Sequence, residues 1–383
     1  MANRPLRRKL FALTATSTLA LSLFTLAQID DRPATDVESP NVTLAVGTST
    51  LPPEESSTTG DSGPAGVEDQ QIPADLIPPT VDRSAAHDGT EAEERERAPA
   101  STTPGADTAQ PAPPAPDVEA SGPIRLAGES GVVLEGLRVS SEDGPCVVVG
   151  DSRDITIRNS SIGPCDGPAV VVEGSTSVRL EGLDISDSTA GVYALESQGV
   201  AVVGNRFSNA GRNFVQFDKV TGAGNQIVGN SGANRLGASS AEDFVNIYQS
   251  SGTSSNPLVV SGNTFRDGGP SQSGSGIMVG DYGGSNIVVE GNSLVNPGQV
   301  GIGVPGGTNI RVVGNSVFSA PQPWSNVGIY VWNQSDGSCG EIEVRGNRVE
   351  WYDSEGSLNP SWNGGNCGTV NGWDENDWSA DLG

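Results

Sequence analysis

The sequence predicts an all-β chain whose main part, residues 123–350, is a parallel β-helix, a solenoid of stacked coils. Three observations carry this: a repeat near 23 residues, a period-2 alternation inside each repeat, and the absence of helical periodicity. The repeat shows in Leu134-Glu-Gly-Leu-Arg-Val139, Ile157-Arg-Asn-Ser-Ser-Ile162, Leu180-Glu-Gly-Leu-Asp-Ile185 and Val202-Val-Gly-Asn-Arg-Phe207. It continues through Ile227-Val-Gly-Asn230, Val259 to Phe265, Val288 to Leu294, Val312 to Val317 and Glu343 to Val349. Equivalent positions 137, 160, 183, 205, 230, 263, 292, 315 and 347 are separated by 23, 23, 22, 25, 33, 29, 23 and 32 residues. A base period near 23 that lengthens in places suits one coil per repeat with loops inserted where it stretches.

Each coil carries a second strand. These read 169–173, 191–196, Phe214-Val-Gln-Phe-Asp-Lys219, Phe244-Val-Asn-Ile-Tyr-Gln249, Gly276-Ile-Met-Val-Gly-Asp281, 301–306 and Gly328-Ile-Tyr-Val-Trp-Asn333. Alternate apolar residues face inward and stack, and the residues between them face out. Asparagines recur at 205, 230, 263, 292, 315 and 347. Asn side chains stacked at a turn bond one another and the turn backbone, so this column is read as a structural ladder.

Outside the solenoid the chain changes character. Residues 1–27 carry Arg4, Arg7, Arg8 and Lys9 before an apolar run from Leu10 to Ala27. This is the pattern of a signal peptide, with Thr25-Leu-Ala27 as a cleavage site and a weak twin-arginine flavour; an uncleaved membrane anchor is the alternative. Either way the remainder is expected to be exported: secreted, periplasmic or on the cell surface. Residues 28–122 are rich in Pro, Ser, Thr and acids, and too poor in apolar residues to offset the entropy of ordering. The expectation is a disordered linker. It holds the one histidine, His87, which is read as non-catalytic. Residues 351–383 break the period and contain Trp351, Trp362, Trp373 and Trp378. They are read as a cap that covers the open end of the core.

The net charge of −26 disfavours nucleic acid and anionic membranes as partners. The membrane enters only through the uncleaved anchor, and a monomer is expected. The four cysteines form two sequence-local pairs, Cys146 with Cys165 and Cys339 with Cys367. Of three connectivities the local one is preferred for an exported chain; spacing and the lack of His partners disfavour zinc.

The repeat, with segments such as Phe214 to Val220, Glu242 to Tyr248, Gly276 to Asp281 and Asn326 to Gln334, resembles the right-handed β-helix superfamily that includes pectate lyases, polygalacturonases and alginate-acting enzymes. The resemblance covers 123–350 and implies a single-stranded right-handed parallel β-helix. On such a fold ligands lie along one outward sheet face, beside the longest loops. Between the inward residues of each strand sit Val171, Tyr193, Gln216, Asn246, Met278, Gly303 and Tyr330; the next outward column is Leu195, Asp218, Tyr248, Gly280, Pro305 and Trp332. Beyond it come Glu196, Lys219, Gln249, Asp281, Gly306 and Asn333.

The middle coils thus gather acids and aromatics. Tyr193, Tyr248, Tyr330 and Trp332 are candidates to stack on sugars. Gln216, Asn246 and Asn333, with Arg266 and Gln299 reaching from loops, are candidates to bond a polysaccharide. Gly280, Gly303 and Pro305 would leave room for it. Three readings stay open. In the first, calcium-assisted β-elimination of an acidic, uronic-acid polymer uses Asp218, Glu242, Asp243 and Asp281 as Ca²⁺ ligands. Lys219, the only lysine besides Lys9, is then the base, with Asp243 in the catalytic group and Tyr248 as acid. In the second, a hydrolase uses paired carboxylates from Asp218, Asp243 and Asp281. Gly-His-Gly and Asn-Thr-Asp motifs of polygalacturonases are absent. In the third, the domain is a non-catalytic glycan-binding or adhesive module at the cell surface.

Overall fold

The computed structural model describes residues 120–238, 242–270, 274–335 and 337–383. The expectations for 1–27, for the linker up to 119 and for His87 lie outside these residues. From Ala120 to Val370 the chain winds through about ten coils of a right-handed parallel solenoid, and every pairing between named strands is parallel. Among the described residues the helical content is one 3-10 turn, Trp373–Glu375.

Three faces run the length of the solenoid. The first stacks Ile124–Ala127, Val147–Gly150, 168–173, 190–195, Val215–Asp218, Val245–Ser251, 275–281, Val300–Val304, Val327–Val331 and Ser361–Asn363. The second includes Arg153–Arg158, Thr176–Glu181, Gln198–Val203 and Gly307–Val313. The third includes Arg206–Ala210, Thr264–Arg266 and Arg348–Trp351. Inward residues form columns such as Val215, Val245 and Ile277, all completely buried. Parallel strands confined to one sheet position per coil bury their alternate residues against the other two faces, each buried side chain contributing roughly 1.5–3 kcal/mol.

At the turn between the second and third faces the asparagine ladder is continuous. Asn205, Asn230, Asn263, Asn292, Asn315 and Asn347 are at most 1% exposed. Each backbone N–H and each Nδ2 donates to the Oδ1 of the next Asn at 2.9–3.0 Å. Asn376, beyond the last full repeat, receives from Asn347 in the same way. Buried turn N–H groups that no strand can satisfy are thereby paired coil by coil. Serines 152, 175 and 197 do the same at another corner.

Residues 351–383 extend the stack before closing it. Ser361–Asn363 pairs with Val327–Val331, and Val370–Asn371 pairs with Cys339–Arg345. Trp373 and Trp378 then pack on each other, with ring centroids 5.0 Å apart, and against the core. The disulfides are Cys146–Cys165 and Cys339–Cys367, enclosing 19- and 28-residue separations. Closing loops of that size removes chain entropy from the unfolded state. Replacing either pair by alanine is expected to lower stability by about 3 kcal/mol, read as a lower denaturant midpoint.

Candidate functional site on the first face

The outward column of the first face keeps its expected register through Tyr193, Gln216, Asn246, Met278, Gly303 and Tyr330. The next column does not. A bulge between Ile247 and Tyr248 makes Gly280 the extra residue, at φ +81, and Asp281 pairs with Tyr248 in its place. This shift moves Asp281 from the corner onto the face.

Asp281 arrives beside Asp243, two residues before the Val245–Ser251 strand. Asn246 links them: its Nδ2 donates to Asp243 Oδ2 at 2.8 Å and to Asp281 Oδ2 at 3.3 Å. Two oxygens touching one nitrogen lie within about 6 Å of each other. Asp243 is 6% exposed, and its Oδ1 also accepts from the Ser275 backbone N–H at 2.8 Å. Burial drives its carboxyl up to about 7 against the pull of the Asn246 and Ser275 bonds, and the charges of Asp281 and Glu242 push the same way as burial. Burial lifts Asp281 to about 6, opposed by Asn246 and the Tyr282 backbone. The floor beneath is rigid: Phe244 stacks on Phe214, with centroids 4.7 Å apart and planes 2° apart.

Several polar atoms around the pair are buried without a partner among the described residues. They are Asn213 Oδ1, Asp218 Oδ1, Asn246 Oδ1 and Ser275 Oγ. Asn213 Nδ2 donates to the Asp243 carbonyl, and Asn359 Nδ2 to that of Asn326 one coil below, so this corner too has ladder-like bonding. Where a neutral Asn would continue it, Asp243 and Ser275 intervene. A structural column has no need of a buried acid, and unsatisfied buried groups concentrate where a ligand or water completes them.

Around the pair lie two aromatic borders. On one side Tyr193 donates its hydroxyl to Asp218 Oδ2 at 3.1 Å, and Tyr248 packs on Tyr282 with centroids 5.2 Å apart. Burial and the Asp218 charge push the Tyr193 phenol up to about 12. Burial, with Asp281 and Asp218, also raises Tyr248. On the other side Tyr330, Trp332 and Trp362 form a tilted series with Met278.

Several expected contributors stand elsewhere. Lys219 occupies a left-handed corner at φ 53, in line with Glu196 and Gln249, where the chain leaves the face. Its Nζ pairs with Glu196 at 3.4 Å, not with Asp218 or Asp243. Tyr330 is completely buried, because the strand Ser361–Asn363 adds Trp362 over it; its hydroxyl meets Met278 Sδ and Gln334 Nε2. It backs the wall and offers no open ring. The space above Gly303 is filled by Tyr330 and Met278, so it leaves no gap for a ligand. Arg266 lies on the third face and pairs with its neighbour Asp267 at 2.8 Å. Asn333 holds the loop through Gly337 O and Asn366.

The four acids offered for calcium do not converge. Asp218 is bonded to Tyr193, Glu242 pairs with Arg212 at 2.7 Å, and only Asp243 and Asp281 share a partner. Among the described residues no group of three or more metal-ligating side chains forms. This donor set does not fit the six to eight oxygens that calcium takes. Gln216 lies on the face between Tyr193 and Asn246, as expected.

The chain matches the family described as right handed beta helix region over residues 123–269 and 244–349, more than half its length. It belongs to that family. No curated protein matches it in sequence. Among solved structures it is similar to the catalytic domain of a GH87 α-1,3-glucanase in complex with tetrasaccharides: 14% identity, 65% of this chain, 55% of that one, TM-score 0.42. It is also similar to the tailspike protein of E. coli bacteriophage HK620 in complex with pentasaccharide: 13% identity, 59% of this chain, 48% of that one, TM-score 0.33. The chain spans about half the length of both.

Proposed function

We propose that this chain is an exported glycoside hydrolase that cleaves a polysaccharide with the carboxyl pair Asp243 and Asp281. One observation carries the reading: two buried carboxyls share a single amide donor on an outward sheet face flanked by aromatic rings. Glycoside hydrolysis needs one carboxyl that holds its proton and one that is ionised at the same pH. Asp243, pushed up to about 7, is the acid that protonates the leaving oxygen. Asp281, at about 6, is the carboxylate that activates water or attacks the anomeric carbon. Two disulfides suit an oxidising, extracellular setting.

Elimination has less support. Its base, Lys219, is half exposed, engaged by Glu196 and turned away at a corner. Among the described residues Arg212 and Lys219, the cations beside this face, each already pair with an acid.

The pH profile tests the pair. Turnover should rise as Asp281 ionises near 6 and fall as Asp243 loses its proton near 7, giving a bell centred between them. Reducing ends should appear without the absorbance of an unsaturated sugar. Asp281→Asn is expected to lose about 10³-fold in turnover, and Lys219→Ala to stay within twofold. An unsaturated product that disappears with Lys219→Ala would reverse the assignment in favour of elimination.

A further inference from the structure

The surroundings of the carboxyl pair are rich in acceptor oxygens and short of positive charge among the described residues. Three of the four partnerless buried atoms, Asn213 Oδ1, Asp218 Oδ1 and Asn246 Oδ1, are oxygens that only accept. Their orientation is fixed, since Asn213 Nδ2 is held by the Asp243 carbonyl and Asn246 Nδ2 faces two carboxyls. The charges that act on Tyr193, Asp243, Tyr248 and Tyr330 come from Glu173, Asp218, Glu242, Asp243 and Asp281 on one side. On the other side are Arg212 and Lys219. Both cations already face acids, Arg212 paired with Glu242 and Lys219 with Glu196.

A uronate carboxylate carries a negative charge, so it would meet repulsion from these acids, with Arg212 and Lys219 already facing Glu242 and Glu196. A sugar hydroxyl donates, and its ring C–H groups suit Tyr248, Trp332 and Trp362. We infer that the site takes an uncharged, hydroxyl-rich glycan, in place of the acidic polymer that the fold resemblance implies; this rests on the hydrolase reading for the site's location. Aromatic packing and hydroxyl donation are little affected by salt, whereas repulsion between charges is screened over about 10 Å at 0.1 M.

The test is affinity electrophoresis and turnover of the full exported chain on three polymer sets: neutral glucans, xylans and mannans; polygalacturonate and alginate; and a glucosamine polymer. Each is run at 20 mM and 500 mM NaCl. The expected result is binding and reducing ends with a neutral polymer, changing less than twofold with salt. Polygalacturonate and alginate should bind at least tenfold more weakly at low salt, with the gap closing at high salt. Asp218→Asn should narrow that gap. A uronate polymer bound or cleaved in preference, or a glucosamine polymer bound tenfold tighter at low salt, overturns the inference while leaving the hydrolase in place. Neutral binding with no product, unchanged in Asp281→Asn, removes the hydrolase and leaves the charge preference standing; no binding to any polymer removes both.

Discussion

Asp243→Asn is expected to cut turnover by about 10³-fold and, in the same protein, to raise the melting temperature above pH 7. The first effect follows from losing the proton that the leaving oxygen needs. The second follows from linkage. An unfolded aspartate titrates near ~3.9, whereas burial holds the folded Asp243 up to about 7. Between those values the folded state retains a proton that the unfolded state has released. Stability therefore falls as pH rises across that window, and above it the full cost of an ionised, buried carboxylate is present. Asp281 and Glu242 face the group and add to that cost.

Holding this carboxyl at about 7 in place of ~3.9 corresponds to roughly 4 kcal/mol. Asparagine keeps the bond from the Ser275 N–H through its Oδ1. Its new amide needs an acceptor, and Asn246 Oδ1, partnerless in the native site, is adjacent once that side chain turns. Allowing half for this rearrangement leaves a gain of about 2 kcal/mol, or roughly 4–8 °C for a domain of this size. Thermal unfolding of both proteins at pH 4 and pH 8 measures it: the difference should appear at pH 8 and vanish at pH 4. An unchanged or lower melting temperature at pH 8 would show that Asp243 carries no such cost and is no stored acid.

The largest loss is expected from Asn263→Ala, in the middle of the ladder. Asn263 Oδ1 receives both the N–H and the Nδ2 of Asn230, while its own Nδ2 donates to Ile227 O and Asn292 Oδ1. Alanine leaves these partners buried with no water to replace the lost bonds. A buried group left unpaired costs about 1–3 kcal/mol, so the sum should reach about 3–5 kcal/mol. Urea unfolding should show the midpoint falling accordingly, with Glu129→Ala, an exposed corner residue, within about 0.5 kcal/mol of the native chain. Equal midpoints for the two variants would mean that the ladder contributes no more than a surface turn.

The architecture was legible because a solenoid repeats its own instructions. Position 137 and its equivalents, the alternating strands and the glycines beside each Asn recur every coil, so nine imperfect copies specify one geometry. The outward column from Tyr193 to Tyr330 was readable for the same reason. The site departs from the repeat, and there legibility fails. Gly280 looks like any turn glycine in the sequence, yet at φ +81 it absorbs the extra residue that brings Asp281 into line. Lys219 drew attention by its rarity, but its φ of 53 belongs to a corner, and a corner points its side chain at solvent. Tyr330 reads as an exposed ring until Ser361–Asn363, a strand with no matching repeat motif, lays Trp362 across it. Asp243 stood out in the sequence among the acids of the middle coils, but its burial did not, since nothing local marks an acid that replaces a neutral rung.

The asparagine ladder has a consequence for how such a domain can change over generations. Each rung accepts from the rung before it and donates to the rung after it in an identical way, and Asn376 accepts from Asn347 as another Asn would. A coil is therefore interchangeable with its neighbour as far as the column is concerned. The segment from Ser293 to Asn315 could be duplicated or excised, and the rungs on either side would still meet as donor and acceptor. Length is thus a free variable of this fold, held fixed only by what the first face must carry: the two coils that place Asp243 against Asp281 cannot be separated by a third.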